Sequence, residues 1–128
     1  MLRLILAAGL ALAAAPALAD PVLGLWKTKP DDNGNFGQVE IVPCGAMVCG
    51  TLVKAFDAAG KPMASANVGK RIVWDMQPRG NGKYGGGKVW APDRDKTYSA
   101  KMELNGDTLA VSGCVTVFCR AQEWTRAK

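Results

Sequence analysis

The chain has 128 residues, a formal net charge of +5 at pH 7 and no histidine. Its length suits one domain with a modest core, and its lysines and arginines are scattered rather than clustered as on a nucleic-acid surface. Without histidine the usual general base near neutral pH is missing, and no phosphate loop or nucleophile motif replaces it. We therefore expect no enzymatic activity, no cofactor, no metal and no nucleic-acid partner.

The N-terminus has the layout of a secretory signal peptide. A positive start and an almost wholly apolar run precede Ala17-Leu18-Ala19, which matches a small-x-small cleavage site. We expect cleavage between Ala19 and Asp20, so that 1–19 is the signal peptide and 20–128 is a single periplasmic or secreted domain. The apolar run is too short for a transmembrane segment, and no other segment is long or apolar enough.

Short apolar runs alternate with turn residues along the rest of the chain. The breaks at 31–35, 44–47, 78–86, 91–95 and 105–107 are rich in Asn, Asp and Gly, which tolerate positive φ. The predicted strands, in chain order, lie near Leu23–Lys29, Gln38–Pro43, Val48–Ala55, Arg71–Met76, Gly86–Ala91, Thr97–Leu104, Thr108–Gly113 and Phe118–Arg126. Residues 56–70 are the least regular and are expected to form one helical turn or a flexible lid.

Eight short strands joined by tight turns predict an all-β fold. An open antiparallel sheet of this size would expose two long edges, and closure removes them. We therefore predict a small antiparallel eight-stranded up-and-down barrel rather than a two-sheet sandwich.

The four cysteines form two pairs with the same spacing, in PCGAMVCG and GCVTVFC. Zinc clips and thiol redox centres use closer spacings, and an exported chain favours disulfides. In a meander the turns after the second and seventh strands lie at opposite barrel ends, beyond the reach of a cross-link. The predicted bonds are Cys44–Cys49 and Cys114–Cys119.

The four tryptophans lie on predicted strands and either fill the core or line a pocket for a small apolar ligand. Alternation on the last strand places Arg120 and Gln122 on the side of Trp124. If that side faces inward, Arg120 needs a partner such as Glu40 or Asp75 and could anchor an anionic head group; if outward, both residues are solvated. We expect Gln122 to face outward and leave Arg120 open between the two. The hypothetical ligand-binding set is Trp26, Trp74, Tyr98, Arg120 and Trp124.

Several stretches resemble known families. Gly24-Leu25-Trp26 on the first strand and Arg126 near the chain end resemble the signature of lipocalin-like (calycin) barrels, which implies that Gly24, Trp26 and Arg126 close one barrel end. "GLWKT", "VEIVPCGAMVCGTLV", "GGGKVWAPDRDKTYSAKMEL" and "LAVSGCVTVFCRAQEWTR" resemble a secreted bacterial family, domain-of-unknown-function family 2147. The chain departs from that family in the segment 56–70 and at Asp95, where the family commonly has glycine.

The resemblance implies a fold and a compartment but no activity. Our leading hypothesis is a non-enzymatic periplasmic barrel that binds a small hydrophobic or amphipathic ligand or supports the cell envelope, with an envelope protein as a further candidate partner. The alternative is a protein-binding module, such as a lysozyme or protease inhibitor, with residues 79–86 as its exposed rigid loop. The sequence gives no oligomeric state.

Overall fold

The computed structural model of the protein describes residues 20–127. The predicted signal peptide, residues 1–19, and the bond at which it would be cleaved lie outside these residues. The first described residue, Asp20, is the expected first residue of the mature chain. Between 20 and 127 the regular structure consists of β-strands, as the turn-rich pattern predicts. Within the same range no helix has the length and hydrophobicity needed to cross a membrane.

Nine strands follow one another along the described chain. They are β1 (Gly24–Lys27), β2 (Phe36–Cys44), β3 (Met47–Phe56), β4 (Pro62–Met63), β5 (Arg71–Gly80), β6 (Lys83–Ala91), β7 (Lys96–Asn105), β8 (Thr108–Val115) and β9 (Phe118–Arg126). Eight of them match the predicted strands. β4 is a two-residue addition inside the segment 56–70 and pairs with the end of β3.

The eight longer strands form a closed antiparallel barrel in which each strand pairs with its neighbours in sequence. The barrel closes where β1 pairs with β9, and we call this pairing the seam. It contains only Trp26 opposite Arg126 and Lys27 opposite Thr125, extended by a bond from the amide of Ala127 to the carbonyl of Leu25. The predicted up-and-down barrel is therefore confirmed.

The registers place the turns at two opposite ends of the barrel. One end, the base, carries the turns at 45–46, 81–82 and 106–107 and both ends of the described chain. The other end, the mouth, carries the connections at 28–35, 57–70, 92–95 and 116–117.

One predicted break is shorter than expected. Residues 78–86 belong mostly to β5 and β6, which meet in a tight turn at Asn81 and Gly82. Both residues have positive φ, 57° and 76°, as two-residue hairpins with Asn-Gly require. Tyr84 and Gly85 are buried, and the carbonyl of Gly82 accepts a bond from the amide of Leu104. Residues 79–86 thus form a paired hairpin and not a protruding loop.

The core is the inner face of the barrel. The β8 residues Leu109 and Val111 pair in register with inward positions of β7 and β9, as the alternation of residues 97–104 predicts. The buried cluster consists of Val22, Trp26, Val39, Ile41, Val48, Leu52, Ile72, Val73, Met76, Tyr84, Ala100, Met102, Leu109, Val111 and Trp124. These side chains fill the inner face toward the base.

The base is closed by the N-terminal segment and Arg126. The indole Nε1 of Trp26 donates to the carbonyl of Val22, and the guanidinium of Arg126 lies 4.1 Å from the Trp26 ring centroid. The same guanidinium donates to the carbonyls of Leu23 and Pro21, at 2.9 and 2.8 Å. Trp26 and Arg126 are therefore in contact at the base, and their role in closing the barrel, which the lipocalin-like signature implies, stays a prediction.

A second contact fixes the start of the described chain. The hydroxyl of Tyr84 donates to the carboxylate of Asp20, which also accepts the amide of Val22. Burial of the phenol, followed by this hydrogen bond and by the charge of Asp20, raises the pKa of Tyr84 above its ordinary value. Asp20 is thereby anchored to β6 across the base.

Both predicted disulfides are present. Cys44–Cys49 joins β2 to β3 at the base, with a Cα–Cα distance of 5.9 Å, and Cys114–Cys119 joins β8 to β9 at the mouth, at 4.0 Å. The two bonds therefore lie at opposite ends of the barrel, and each one links the two arms of a single hairpin.

Candidate functional site

The five residues of the predicted ligand site divide into two groups. Four of them lie on the inner face of the barrel: Trp26, Trp124, Tyr98 and Arg120. Trp26 and Trp124 are buried in the core, Tyr98 is half-buried near the mouth and Arg120 is exposed. Trp74 lies on the outer face, opposite Lys88 of β6, and the structure does not bring it together with the other four.

The inner face of the β8–β9 hairpin changes from buried to solvent-exposed along its length, from the base to the mouth. Near the base, Leu109 and Trp124 oppose each other and are buried. Toward the mouth, Gly113 opposes Arg120 and Val115 opposes Phe118, and these positions open to solvent. Phe118 is 79% exposed. The hairpin therefore presents an apolar and cationic inner surface at the mouth, which we call the hairpin surface (Val115, Phe118, Arg120).

The hairpin surface is open because β9 has a partner on only one side there. The seam ends at Lys27, and from there the chain turns away through Thr28, Lys29 and Pro30. On the outer side of this divergence lies a cleft of about 550 Å³. Its lining consists of Lys27, Thr28, Lys29, Pro30, Ala121, Glu123 and Thr125. The short length of β1 thus leaves the mouth half of β9 exposed.

Tyr98 borders the hairpin surface from β7. The Cβ atom of any other residue at position 113 would lie 3.3 Å from the Cβ of Tyr98 and from Cγ1 of Val89. Glycine at 113 therefore allows β8 to pack closely against these two side chains. Arg94 lies in the turn that follows β6, and hydrogen bonding with Tyr98 raises the pKa of Arg94 above its ordinary value. The guanidinium of Arg94 is therefore a second cation at the mouth.

Gln122 contributes a polar group between the core and the hairpin surface. Its side-chain oxygen accepts a hydrogen bond of 2.9 Å from the indole Nε1 of Trp124. Opposite it stands Val111, which is buried. Gln122 thus provides the hydrogen-bond acceptor for the indole N–H of Trp124, at the boundary between the buried and the exposed parts of the inner face.

Trp74 belongs instead to a cleft on the outer face of the sheet. This outer cleft has a volume of about 330 Å³ and is lined by Lys70, Arg71, Trp74 and Trp90. Lys70 Nζ lies 5.2 Å from the ring centroid of Trp90, whose Nε1 donates to Asp95 at 2.9 Å. Two half-buried indoles and two exposed cations therefore share one open surface.

Sequence reasoning missed the outer cleft because β5 is irregular. Its register against β3 shifts between Val48 and Gly50 and again between Gly50 and Thr51, and Asp75 has φ of 55°. Such bulges break the alternation by which inward and outward residues are assigned. The sequence signal that could have found the cleft is the pair Lys70-Arg71 beside a strand that carries an outward tryptophan.

The described residues offer little conventional catalytic or metal chemistry. Between 20 and 127 no three His, Cys, Asp or Glu side chains lie together as a metal site would need. All four cysteines are in disulfides. What the two surfaces provide is apolar area combined with exposed cations, an arrangement suited to binding anions that carry apolar parts.

Comparison with known proteins places the fold and the family. No curated protein matches the chain. Among solved structures, the Helicobacter pylori protein HP1028, described as belonging to the lipocalin family, is similar with a TM-score of 0.67 at 15% sequence identity. The match covers 86% of this chain and 85% of that one, so the two share the barrel fold. A family profile, described as an uncharacterized protein conserved in bacteria (DUF2147), matches residues 24–126, and the chain therefore belongs to this family.

Proposed function

We propose that the protein is an exported, non-catalytic binding protein whose hairpin surface holds an amphipathic anion such as a long-chain fatty acid. The observation that carries the proposal is the exposure of inward-facing residues at the mouth. Val115 is 57% and Phe118 79% exposed on a face whose lower half is buried. Exposed apolar groups of this kind often mark ligand sites.

The chemistry of the surface supports an amphipathic ligand rather than a purely apolar one. Val115 and Phe118 offer apolar contact, while Arg120 and Arg94 offer guanidinium groups that pair with a carboxylate. Because the core cluster occupies the inner face toward the base, the ligand chain lies across the mouth and along the hairpin.

The experiment is native mass spectrometry of the purified protein with oleate. We expect a one-to-one complex that weakens about tenfold in Arg120→Gln, since hydrogen bonds to charged groups contribute about 1.5–3 kcal/mol. Phe118→Ser should weaken it similarly. Lys101→Gln, on the outer face of β7, is the matched control and should bind like the wild type. If oleate does not bind, or if Arg120→Gln binds it equally well, the proposal is refuted.

Export is part of the proposal and has two supports. The N-terminal sequence has the signal-peptide layout, and both disulfides suit an oxidising compartment. N-terminal sequencing of protein from the periplasmic fraction should begin at Asp20. Recovery of an uncleaved chain from the cytoplasm would refute this part.

A second candidate function is binding of a protein partner through the tip of the β8–β9 hairpin. Val117 is 85% exposed there and sits in a turn stapled by Cys114–Cys119. This surface replaces residues 79–86 as the candidate inhibitor element. In a pull-down from periplasmic extract, Val117→Ser should lose a captured hydrolase yet still bind oleate; capture of no hydrolase by the wild type would remove this candidate.

A further inference from the structure

We infer that the outer cleft is a second binding site, for an acidic saccharide whose sugar rings carry carboxylate groups. This inference does not rest on the proposed function. The outer cleft shares no lining residue with the hairpin surface and lies on the opposite side of the sheet.

The first support is the exposure of two tryptophans on one outer face. Val73 is fully buried and pairs with Val89, so its neighbour Trp74 points outward. Trp90 lies on the adjacent strand, on the same outer face as Lys88. Trp90 also packs partly against the buried core cluster. Because tryptophan side chains bury large areas when they can, two half-exposed indoles that line one cleft leave apolar surface available to a ligand.

The second support is the way in which Trp90 is fixed. Asp95 has φ of 49°, a left-handed conformation that glycine adopts with less strain. Its carboxylate accepts the hydrogen bond from Trp90 Nε1, so Asp95 orients the indole of Trp90. Asp75, immediately after Trp74, is also left-handed, at 55°. Strained residues thus flank both tryptophans, and such residues cluster at binding sites.

The third support is charge. The cleft lining contains two cations, Lys70 and Arg71, while the carboxylate of Asp95 at its edge is engaged by the indole of Trp90. Lys70 already lies over the face of Trp90, which leaves Trp74 as the stacking surface for a ring. Arg71 can pair with a carboxylate through two parallel hydrogen bonds.

The shape of the cleft selects the class of ligand. An open, shallow surface leaves one side of the ligand in water, whereas apolar ligands bind in pockets that enclose most of their area. A pyranose ring fits this surface because its C–H face is apolar and its hydroxyl rim remains solvated. A carboxylate on the ring satisfies the two cations, which makes an acidic saccharide the best match.

The test uses trigalacturonic acid as the probe and follows the four indole N–H signals in two-dimensional NMR. We expect saturable shifts for Trp74 and Trp90. The indoles of Trp26 and Trp124, which are bonded to Val22 and Gln122 inside the barrel, serve as internal controls and should not move. Maltotriose, a neutral trisaccharide, and citrate, a carboxylate without a ring, should each bind at least about tenfold more weakly.

Variants separate a binding role from a structural one. Trp74→Ala and Arg71→Gln should each weaken binding about tenfold, and Lys101→Gln should have no effect. Asp95→Gly should weaken binding several-fold while the melting temperature changes by no more than about 2 °C, because the backbone there favours glycine.

Three results would overturn the inference. They are no saturable shift with trigalacturonic acid, equal binding of maltotriose, and undiminished binding by Trp74→Ala. Since oleate binding is measured at a different surface, its presence or absence leaves these outcomes unchanged.

Discussion

Replacing Arg126 by alanine tests whether one side chain holds the barrel closed. Its guanidinium bridges the carbonyls of Leu23 and Pro21 and covers the ring of Trp26. The seam beside it contains only two residue pairs. Little other pairing therefore replaces these contacts when they are lost.

The expected cost follows from the contacts. Arg126 is half-buried, so each hydrogen bond contributes about 1 kcal/mol, below the range for fully buried charged groups. The cation–π contact with Trp26 adds about 1 kcal/mol. Arg126→Ala should thus lower the free energy of unfolding by about 3 kcal/mol, a large part of the 5–15 kcal/mol typical of a domain.

The assay is urea unfolding followed by tryptophan fluorescence, with both disulfides intact. Arg126→Lys should lose about half as much, since an ammonium keeps the charge over Trp26 but cannot bridge both carbonyls. Arg120→Ala is the matched control, because Arg120 is an exposed arginine on the same face of β9; its effect should stay within about 0.5 kcal/mol. A loss for Arg126→Ala no larger than that of the control would refute the reasoning.

Three further predictions concern the cross-links and the base. Replacing either cysteine pair by alanine should cost about 2 kcal/mol, because both close loops of the same sequence separation of 5. Under mild reduction and alkylation, mass spectrometry should show Cys114–Cys119 opening first, since Cys119 is exposed and Cys49 is 2% exposed; the reverse order would contradict this. The pKa of Tyr84 is higher in the folded protein than in the unfolded chain. The contribution of Tyr84 to the free energy of unfolding is therefore intact below about pH 10 and falls above it, by up to about 1.4 kcal/mol per pH unit. In urea unfolding between about pH 9 and 11, the free energy of unfolding should decline less steeply with pH in Tyr84→Phe than in the wild type. Equal slopes would show that Tyr84 is not the group responsible.

The strand pattern and the cysteine pairing could be predicted because both depend on local chemistry. Alternation along residues 97–104 fixes one buried face, and Asn81-Gly82 and Gly106-Asp107 fix hairpin turns. The spacing of the cysteines matches the reach of a disulfide across one hairpin. These features require no knowledge of distant parts of the chain.

The candidate sites depended on features that a sequence does not display. Trp74 faces outward because β5 is bulged, and a bulge shifts the alternation without a distinctive residue pattern. The strand alternation left two alternatives for Arg120, inward with a charged partner or outward and solvated. In the structure Arg120 lies on the inner face and is nevertheless exposed. This exposure depends on where β1 ends, which is decided by the pairing of Lys27 with Thr125.

The position of Arg126 also constrains the order in which the protein can fold. Its two backbone partners lie 103 and 105 residues earlier in the chain. A chain that emerges from its N-terminus, from a ribosome or through a membrane pore, cannot form these contacts until residue 126 has appeared. The hairpins between β2 and β8 can form earlier, because their contacts are local. Arg126 can therefore contact Leu23 and Pro21 only late in synthesis, and until then the β1 edge of any sheet already formed has no partner from β9.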